Sequence, residues 1–243
     1  MTFMRLALWP LLITGLMCAS CRKAAPIAAR QPNETLSSYV GIAFFSGSPM
    51  NVLLVTTEST DSSHALAGSI TYQSQTSAFS EVSTDPQADT LFFNYTHANA
   101  NYHAWALIQP LAIEVHFTEP TGIVPFRLNR ETSGHNMSGI WTGDMSSTLL
   151  QGQRSVTLTM DQLGSAFAGE AAVNFVEPWT FEITTGSVTG NGFQISGTVQ
   201  GSNLYPTTWN GNYVGFDTIS GEWNAGGESA IDGGQFLFSR LFQ

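Results

Sequence analysis

Apolar and polar residues alternate with a period of two in several stretches of this chain. Phe193, Ile195, Gly197 and Val199 fall on one face of an extended strand, and Gln194, Ser196, Thr198 and Gln200 fall on the other. Val156, Leu158 and Met160 alternate with Thr157, Thr159 and Asp161. Trp179, Phe181 and Ile183 alternate with Thr180, Glu182 and Thr184, and Leu91, Phe93 and Tyr95 continue the theme. One apolar and one polar face per segment marks antiparallel sheet packed on one side. No segment after residue 25 carries an apolar stripe of helical period over three turns. Turn signals separate the runs: Ser46-Gly47-Ser48-Pro49, Ser133-Gly134-His135-Asn136, Thr189-Gly190-Asn191-Gly192 and Asn224-Ala225-Gly226-Gly227. Asn191-Gly192 is predicted to form a type I′ hairpin turn, whose two central residues need positive φ. Many short strands at near-regular spacing predict an all-β protein, an antiparallel meander barrel or sandwich.

The pattern also recurs along the chain. Ala65-Leu66-Ala67-Gly68 matches Ala166-Phe167-Ala168-Gly169 at an offset of 101, and Gly41-Ile42 matches Gly139-Ile140 at an offset of 98. Residues 52–57 parallel 156–160, and Phe126-Arg127-Leu128 parallels Phe238-Ser239-Arg240-Leu241. Offsets this close predict two similar β units, residues 38–131 and 135–243, with a junction near residues 131–136.

The N-terminus is different in kind. Arg5 precedes an uncharged, mostly apolar run over residues 6–17. That run is too short for a bilayer, which needs about 20 apolar residues, and suits the apolar region of a secretion signal. Small residues Ala19 and Ser20 follow it, so residues 1–20 are read as a signal peptide. Cleavage before Cys21 would leave a single cysteine, at the new N-terminus. A free thiol is a hazard in an oxidising compartment, and lipidation removes it. A Cys18–Cys21 disulfide is the competing use of these residues and requires an uncleaved signal. Residues 21–37 lack strand alternation and read as a tether.

Cys18-Ala19-Ser20-Cys21 resembles the lipobox of bacterial lipoproteins, with Cys18 standing where that pattern usually has Leu. The resemblance implies a lipid on Cys21 and attachment to a membrane of the cell envelope, on its periplasmic or outer surface, without a transmembrane helix. Gly139-Ile140-Trp141-Thr142-Gly143, Thr208-Trp209-Asn210-Gly211 and Ser220-Gly221-Glu222-Trp223 resemble the Gly-x-Trp strands of calycin barrels, the lipocalin and avidin group. Residues 227–236 are similar to the closing strand pair of surface-lipoprotein barrels of the transferrin-binding type. These resemblances imply a meander barrel on a lipid anchor and do not specify a ligand.

Charge narrows the classes of partner. Charged residues make up 11% of the chain, against about 25% in an average globular protein. Net charge is −10, and residues 31–126 contain eight Asp and Glu with no Lys or Arg. Such a surface repels phosphate backbones, so nucleic acid is not an expected partner. The expected partners are a membrane, through the N-terminal lipid, and a small-molecule or protein ligand.

Three sets of residues could carry chemistry. If Ile108 faces Leu111 across Gln109-Pro110, then 105 pairs with 114 and 103 with 116. His103, Trp105, Glu114 and His116 then share one face, and two His with a Glu are an acceptable zinc set. Trp105, Trp141, Trp179, Trp209 and Trp223 could line a ligand cavity or fill the core. The Gly-rich segment 226–234 holds Glu228 and Asp232, which could coordinate calcium, and reads first as a plain hairpin loop between the last two strands. The chain has no Gly-x-Ser-x-Gly, His-Glu-x-x-His or phosphate-binding Gly loop. The reading therefore leans away from an enzyme, names no catalytic residue and calls for no cofactor. An exported hydrolase using acidic residues and a small outer-membrane barrel are the rivals to an anchored binding or scaffolding module.

Overall fold

The structure is a computed structural model that describes residues 34–59, 66–85, 87–118, 123–131, 135–149, 151–174, 179–200, 205–226 and 232–242. All regular elements among these are β-strands, as the alternation predicts. The first nine are β1 (Glu34–Phe45), β2 (Ser48–Ser59), β3 (Leu66–Tyr72), β4 (Gln75–Ala78), β5 (Ser80–Asp85), β6 (Thr90–His97), β7 (Ala100–Ile108), β8 (Ala112–Phe117) and β9 (Phe126–Arg130). They form one antiparallel sheet in the order β4-β3-β2-β1-β9-β8-β7-β6-β5. The other eight are β10 (Gly139–Ser147), β11 (Gly152–Leu163), β12 (Ala166–Val173), β13 (Trp179–Thr189), β14 (Gly192–Gln200), β15 (Tyr205–Tyr213), β16 (Thr218–Ala225) and β17 (Asp232–Ser239). These close into an eight-stranded meander barrel.

The internal matches fall on equivalent strands. Gly41 lies in β1 and Gly139 in β10, the paired 52–57 and 156–160 runs lie in β2 and β11, and the Ala-x-Ala-Gly runs meet β3 and β12. In each sheet the last strand pairs antiparallel with the first, β9 with β1 and β17 with β10. The first sheet is nearly closed. Ser77 Oγ on β4 donates to the Thr96 carbonyl at 2.6 Å. Phe79 turns inward between β4 and β5, where its ring stacks on Phe93 at 4.2 Å and its N–H donates to the Gly68 carbonyl at 2.8 Å. Gly68 has no room for a Cβ, which would sit 2.5 Å from the Phe79 ring.

Two local expectations are corrected. β1 takes in residues 34–37, read from the sequence as tether, because β2 is long enough to pair with them, Leu36 opposite Thr57. The hairpin between β13 and β14 turns on Gly190-Asn191, not on Asn191-Gly192, since Thr189 pairs with Gly192. Gly190 has φ +58 and Asn191 is not among the positive-φ residues, the type II′ pattern, which needs Gly only at the first central position.

Each sheet wraps its own core. In the barrel, Trp141, Trp209 and Trp223 are all but completely buried and pack with Phe181, Phe236 and Phe238. Trp209 lies 5.9 Å from Trp223 and 5.3 Å from Phe236. Burying rings of this size is worth on the order of 4–6 kcal/mol each in transfer free energy. The first sheet encloses Tyr72, Phe93 and Tyr95 with aliphatic neighbours. The outward face of the barrel is polar, as Thr157, Thr159, Asp161, Glu182, Gln194 and Asn210 illustrate, whereas that of the first sheet also carries Phe44, Phe92 and Trp105.

The sheets meet through buried polar side chains. Asn51, in β2, presents its amide to the other sheet's backbone. Its Nδ2 donates to the carbonyls of Ile140 and Leu241 at 2.7 and 2.9 Å, and its Oδ1 accepts from the Ile140 N–H at 2.6 Å. Asn129 Nδ2 donates to Ser138 Oγ at 2.9 Å and to Asp161 Oδ1. Gly139, at φ +128, lies against Asn51, and a Cβ there would sit 2.9 Å from Asn51 Oδ1 and 2.8 Å from Arg240 Cδ. Asn51→Ala should lower stability by about 2–3 kcal/mol, since it leaves one amide N–H and two carbonyls without partners in a buried place. Gly139→Ala should cost at least as much, through φ and overlap together. Urea unfolding followed by Trp fluorescence measures both.

Candidate functional site

The histidine set lands on one face, but its three candidate ligands do not converge on one point. Trp105 pairs with His116 and Leu107 with Glu114, a register two residues from the one assumed. A shift of two keeps side-chain parity, so His103, Trp105, Glu114 and His116 do point to the same side. Ile108 faces Ile113, so the connection is longer than a two-residue turn. His116 stacks on Trp105 at 4.0 Å and 2°, and its Nε2 lies 2.8 Å from Glu114 Oε1. His103 Nδ1 instead lies 2.7 Å from Asn94 Oδ1, one strand further along. Among the described residues no three His, Cys, Asp or Glu side chains are grouped closely enough to hold a metal ion.

The five tryptophans divide by position. Trp141, Trp209 and Trp223 occupy the barrel interior, Trp179 is partly buried against it, and Trp105 lies on the outward face of the first sheet. The Trp141 and Trp223 indoles donate to the Met137 and Ser146 carbonyls at 2.9 and 2.8 Å. The Trp209 indole N–H is buried without a partner. Cys18, Cys21 and Glu228 lie outside the described residues. Asp232 faces into the barrel, where its carboxylate accepts from Ser147 Oγ at 2.7 Å, Leu149 N–H at 3.0 Å, Gly233 N–H at 2.8 Å and Thr148 Oγ1 at 3.1 Å. Burial pushes this carboxyl up, but the four hydrogen bonds together outweigh it and leave it below the ordinary range. Asp232 ties the β10–β11 turn to β17.

Sequence reading did not find the most perturbed cluster, at the foot of the barrel. Arg240 is 1% exposed. Its Nη1 donates to the carbonyls of Asn136 and Ser138 at 2.8 and 2.7 Å, and its Nη2 to Phe216 at 3.1 Å. The guanidinium lies 4.6 Å from the Trp141 ring centroid, with Phe216 and Phe242 at 5.0 and 5.5 Å. Glu131, which follows β9, approaches to 4.0 Å. Glu131 Oε1, Arg240 Nε and the Tyr213 hydroxyl are buried without hydrogen-bond partners. Burial pushes Glu131 from 4.5 up to about 7, against the pull of Arg240 and a backbone hydrogen bond at Asn136. Burial likewise raises Tyr213 and lowers Arg240, the latter opposed by Glu131, Tyr213 and Asp217. A raised carboxyl can serve as a general acid. This one faces a guanidinium and a phenol, and among the described residues no second carboxylate perturbs it, which is the arrangement of a structural joint.

In the first sheet, His97 is held similarly. It is buried, stacks on Tyr72 at 3.9 Å and has Nε2 2.8 Å from Gln73 Oε1. Burial lowers its pKa, which keeps the ring neutral near pH 7. Burial pushes Tyr72 up to about 12.

An open trough of about 590 Å³ crosses the outward face of β14–β17. Asn210, Asn212, Ser220, Glu222 and Gln235 line it, over a floor that includes Gly211 and Gly221. No family model matches the chain, and a comparison with curated proteins finds none with significant sequence similarity.

Two outcomes test the electrostatics. Between pH 4.5 and 7, folded Glu131 holds a proton that the unfolded chain releases, so stability should fall as pH rises across that window. Glu131→Gln should flatten that slope in melts recorded from pH 4.5 to 8. Asp232 has the opposite sign. Its contribution is present above its unfolded value of about 3.8 and is lost as pH falls through the lower folded value. Asp232→Asn should therefore be destabilising at pH 7, by roughly 1–3 kcal/mol, and progressively less so toward pH 2.

Proposed function

We propose that the protein is exported and held by a lipid on Cys21 at a membrane of the cell envelope, where it acts as a non-catalytic binding or scaffolding module. The observation that carries this reading is the placement of cysteine. Beyond residue 20 the chain has one, Cys21, directly after an apolar segment and the small pair Ala19-Ser20. Acyl chains contribute about 0.8 kcal/mol per buried CH₂, so lipidation there would hold a β body at a membrane surface without a spanning segment. The resemblance to calycin and surface-lipoprotein barrels supports the same reading.

The rivals fit the geometry less well. A membrane-spanning barrel turns an apolar band outward and a polar lining inward. This barrel does the reverse, with Trp141, Phe181, Trp209 and Phe238 inside and Thr157, Glu182, Gln194 and Asn210 outside. A hydrolase built on acidic residues needs a carboxyl pair in an accessible cleft. Glu131, the carboxyl raised furthest among the described residues, is buried against Arg240 instead.

Fractionation of cells expressing the full chain tests the anchor. The wild-type protein should resist salt and alkali and be released by detergent, with a diacylglyceryl mass on its N-terminal cysteine. Cys21→Ala should move to the soluble exported fraction; if it stays with the membrane, the lipid anchor is wrong.

A further inference from the structure

We infer that the trough across β15, β16 and β17 is a binding site for a neutral carbohydrate. Its geometry comes from strand register. Gln194, Asn210, Glu222 and Gln235 are cross-strand neighbours in one outward row on four successive strands. At a strand spacing of about 4.8 Å, that row extends over about 14 Å. Asn212 and Ser220 pair in the next row. Beneath them Gly211 pairs with Gly221. A Cβ on Gly211 would sit 2.6 Å from both the Phe193 ring and the Ser220 carbonyl, so the floor must stay low and rigid there. The buried Phe193 and Phe236 rings, 6.1 Å apart, support it from inside.

The chemistry of the lining selects the ligand class. Among the described residues, none of the five polar lining side chains, Asn210, Asn212, Ser220, Glu222 and Gln235, has a hydrogen-bond partner within the protein. One row away, by contrast, Thr208 Oγ1 donates to Asn224 Oδ1 at 2.9 Å, so that row satisfies itself. Each Asn or Gln offers two N–H donors and a carbonyl acceptor, Ser offers both roles, and Glu222 accepts only. Adjacent sugar hydroxyls also donate and accept, so they match such a grid. An anionic ligand would need a cation, and the lining has no Lys or Arg. A metal ion would need more than one carboxylate, and the lining has Glu222 alone. An apolar ligand would need exposed apolar walls, whereas the two Phe rings are buried. A second groove of about 430 Å³ shares Gln235 and Phe236 with the trough and continues to Thr142 and Gln153, which gives length for several sugar units.

This inference rests on the protein being a binding module and is independent of the anchor. The purified protein is titrated with maltohexaose, cellohexaose and chitohexaose, and separately with inorganic phosphate, while amide NMR shifts are recorded. At least one oligosaccharide should shift the amides of β15–β17 at millimolar concentration, and phosphate should not. Asn210→Ala combined with Gln235→Ala should weaken that binding about tenfold, the loss of one or two hydrogen bonds. Glu222→Gln, which removes charge but keeps an acceptor, should retain it. These side chains point outward, so unchanged melts confirm that the variants fold. No shift with any of the three sugars, shifts confined to other strands, a stronger response to phosphate, or full binding by the double variant would each overturn the inference. None of those results bears on the Cys21 fractionation, so the two readings fail separately.

Discussion

A guanidinium with no access to water organises the joint between the two sheets. Arg240 cannot shed its charge, so every direction around it must supply compensation. Backbone carbonyls from Asn136, Ser138 and Phe216 take three of its N–H bonds. The Trp141 face accepts the cation, and Glu131 faces it from the other sheet. Those partners come from the residue after β9, the segment before β10, β10 itself and the β15–β16 turn, and Arg240 follows the end of β17. Fixing one side chain therefore fixes the start, the end and one closed end of the barrel against the first sheet.

That constraint explains the character of the surrounding residues. Asn136 and Ser138 lie in the connection between sheets, where turn chemistry alone would leave them solvated, yet both are 2% exposed or less. Asn136 Nδ2 donates to the Gln162 carbonyl at 3.1 Å, and the Ser138 hydroxyl accepts from the Gln162 N–H at 2.8 Å. Asn51 joins the same backbone from the first sheet. A joint made of amides is directional, so it sets one arrangement where an apolar contact would tolerate several. Its cost is a set of buried polar atoms without partners, Glu131 Oε1 among them, and with them a dependence on pH.

With one end of the barrel committed to the joint and its interior filled by tryptophan and phenylalanine, the surfaces left for recognition are outward. The barrel can expose so polar a face because the core-facing positions carry nearly all its large apolar side chains. The Phe193 ring fills the space left at Gly211, and Gly221 lies directly against the β15 backbone at Asn210 and Gly211. The same pair of small residues in an aromatic row underlies the outward trough.

Period-two alternation was enough to assign the all-β class and the inward faces of β6, β11, β13 and β14, because burial on one side of a pleated strand imposes that period directly, and residue matches at offsets near 100 carried the likeness of the two halves. Arg240 shares the parity of Phe236 and Phe238, but nothing local in the sequence names the groups that surround it. The parity of the His103, Trp105, Glu114 and His116 face was legible too. Their pairing was not, since a shift of two residues leaves every side chain on the same face and only the hairpin connection decides it. Asn51 and Glu131 gave no signal and Asp232 was read as part of a loop, because nothing local distinguishes a buried carboxyl or amide from a solvated one. Their roles come from partners 80 or more residues away in two cases, Ser147 for Asp232 and Ile140 for Asn51, and from Arg240 for Glu131. Side-chain periodicity is a property of neighbours along the chain and can be read there, whereas the burial of a polar group depends on which distant strands are brought against it.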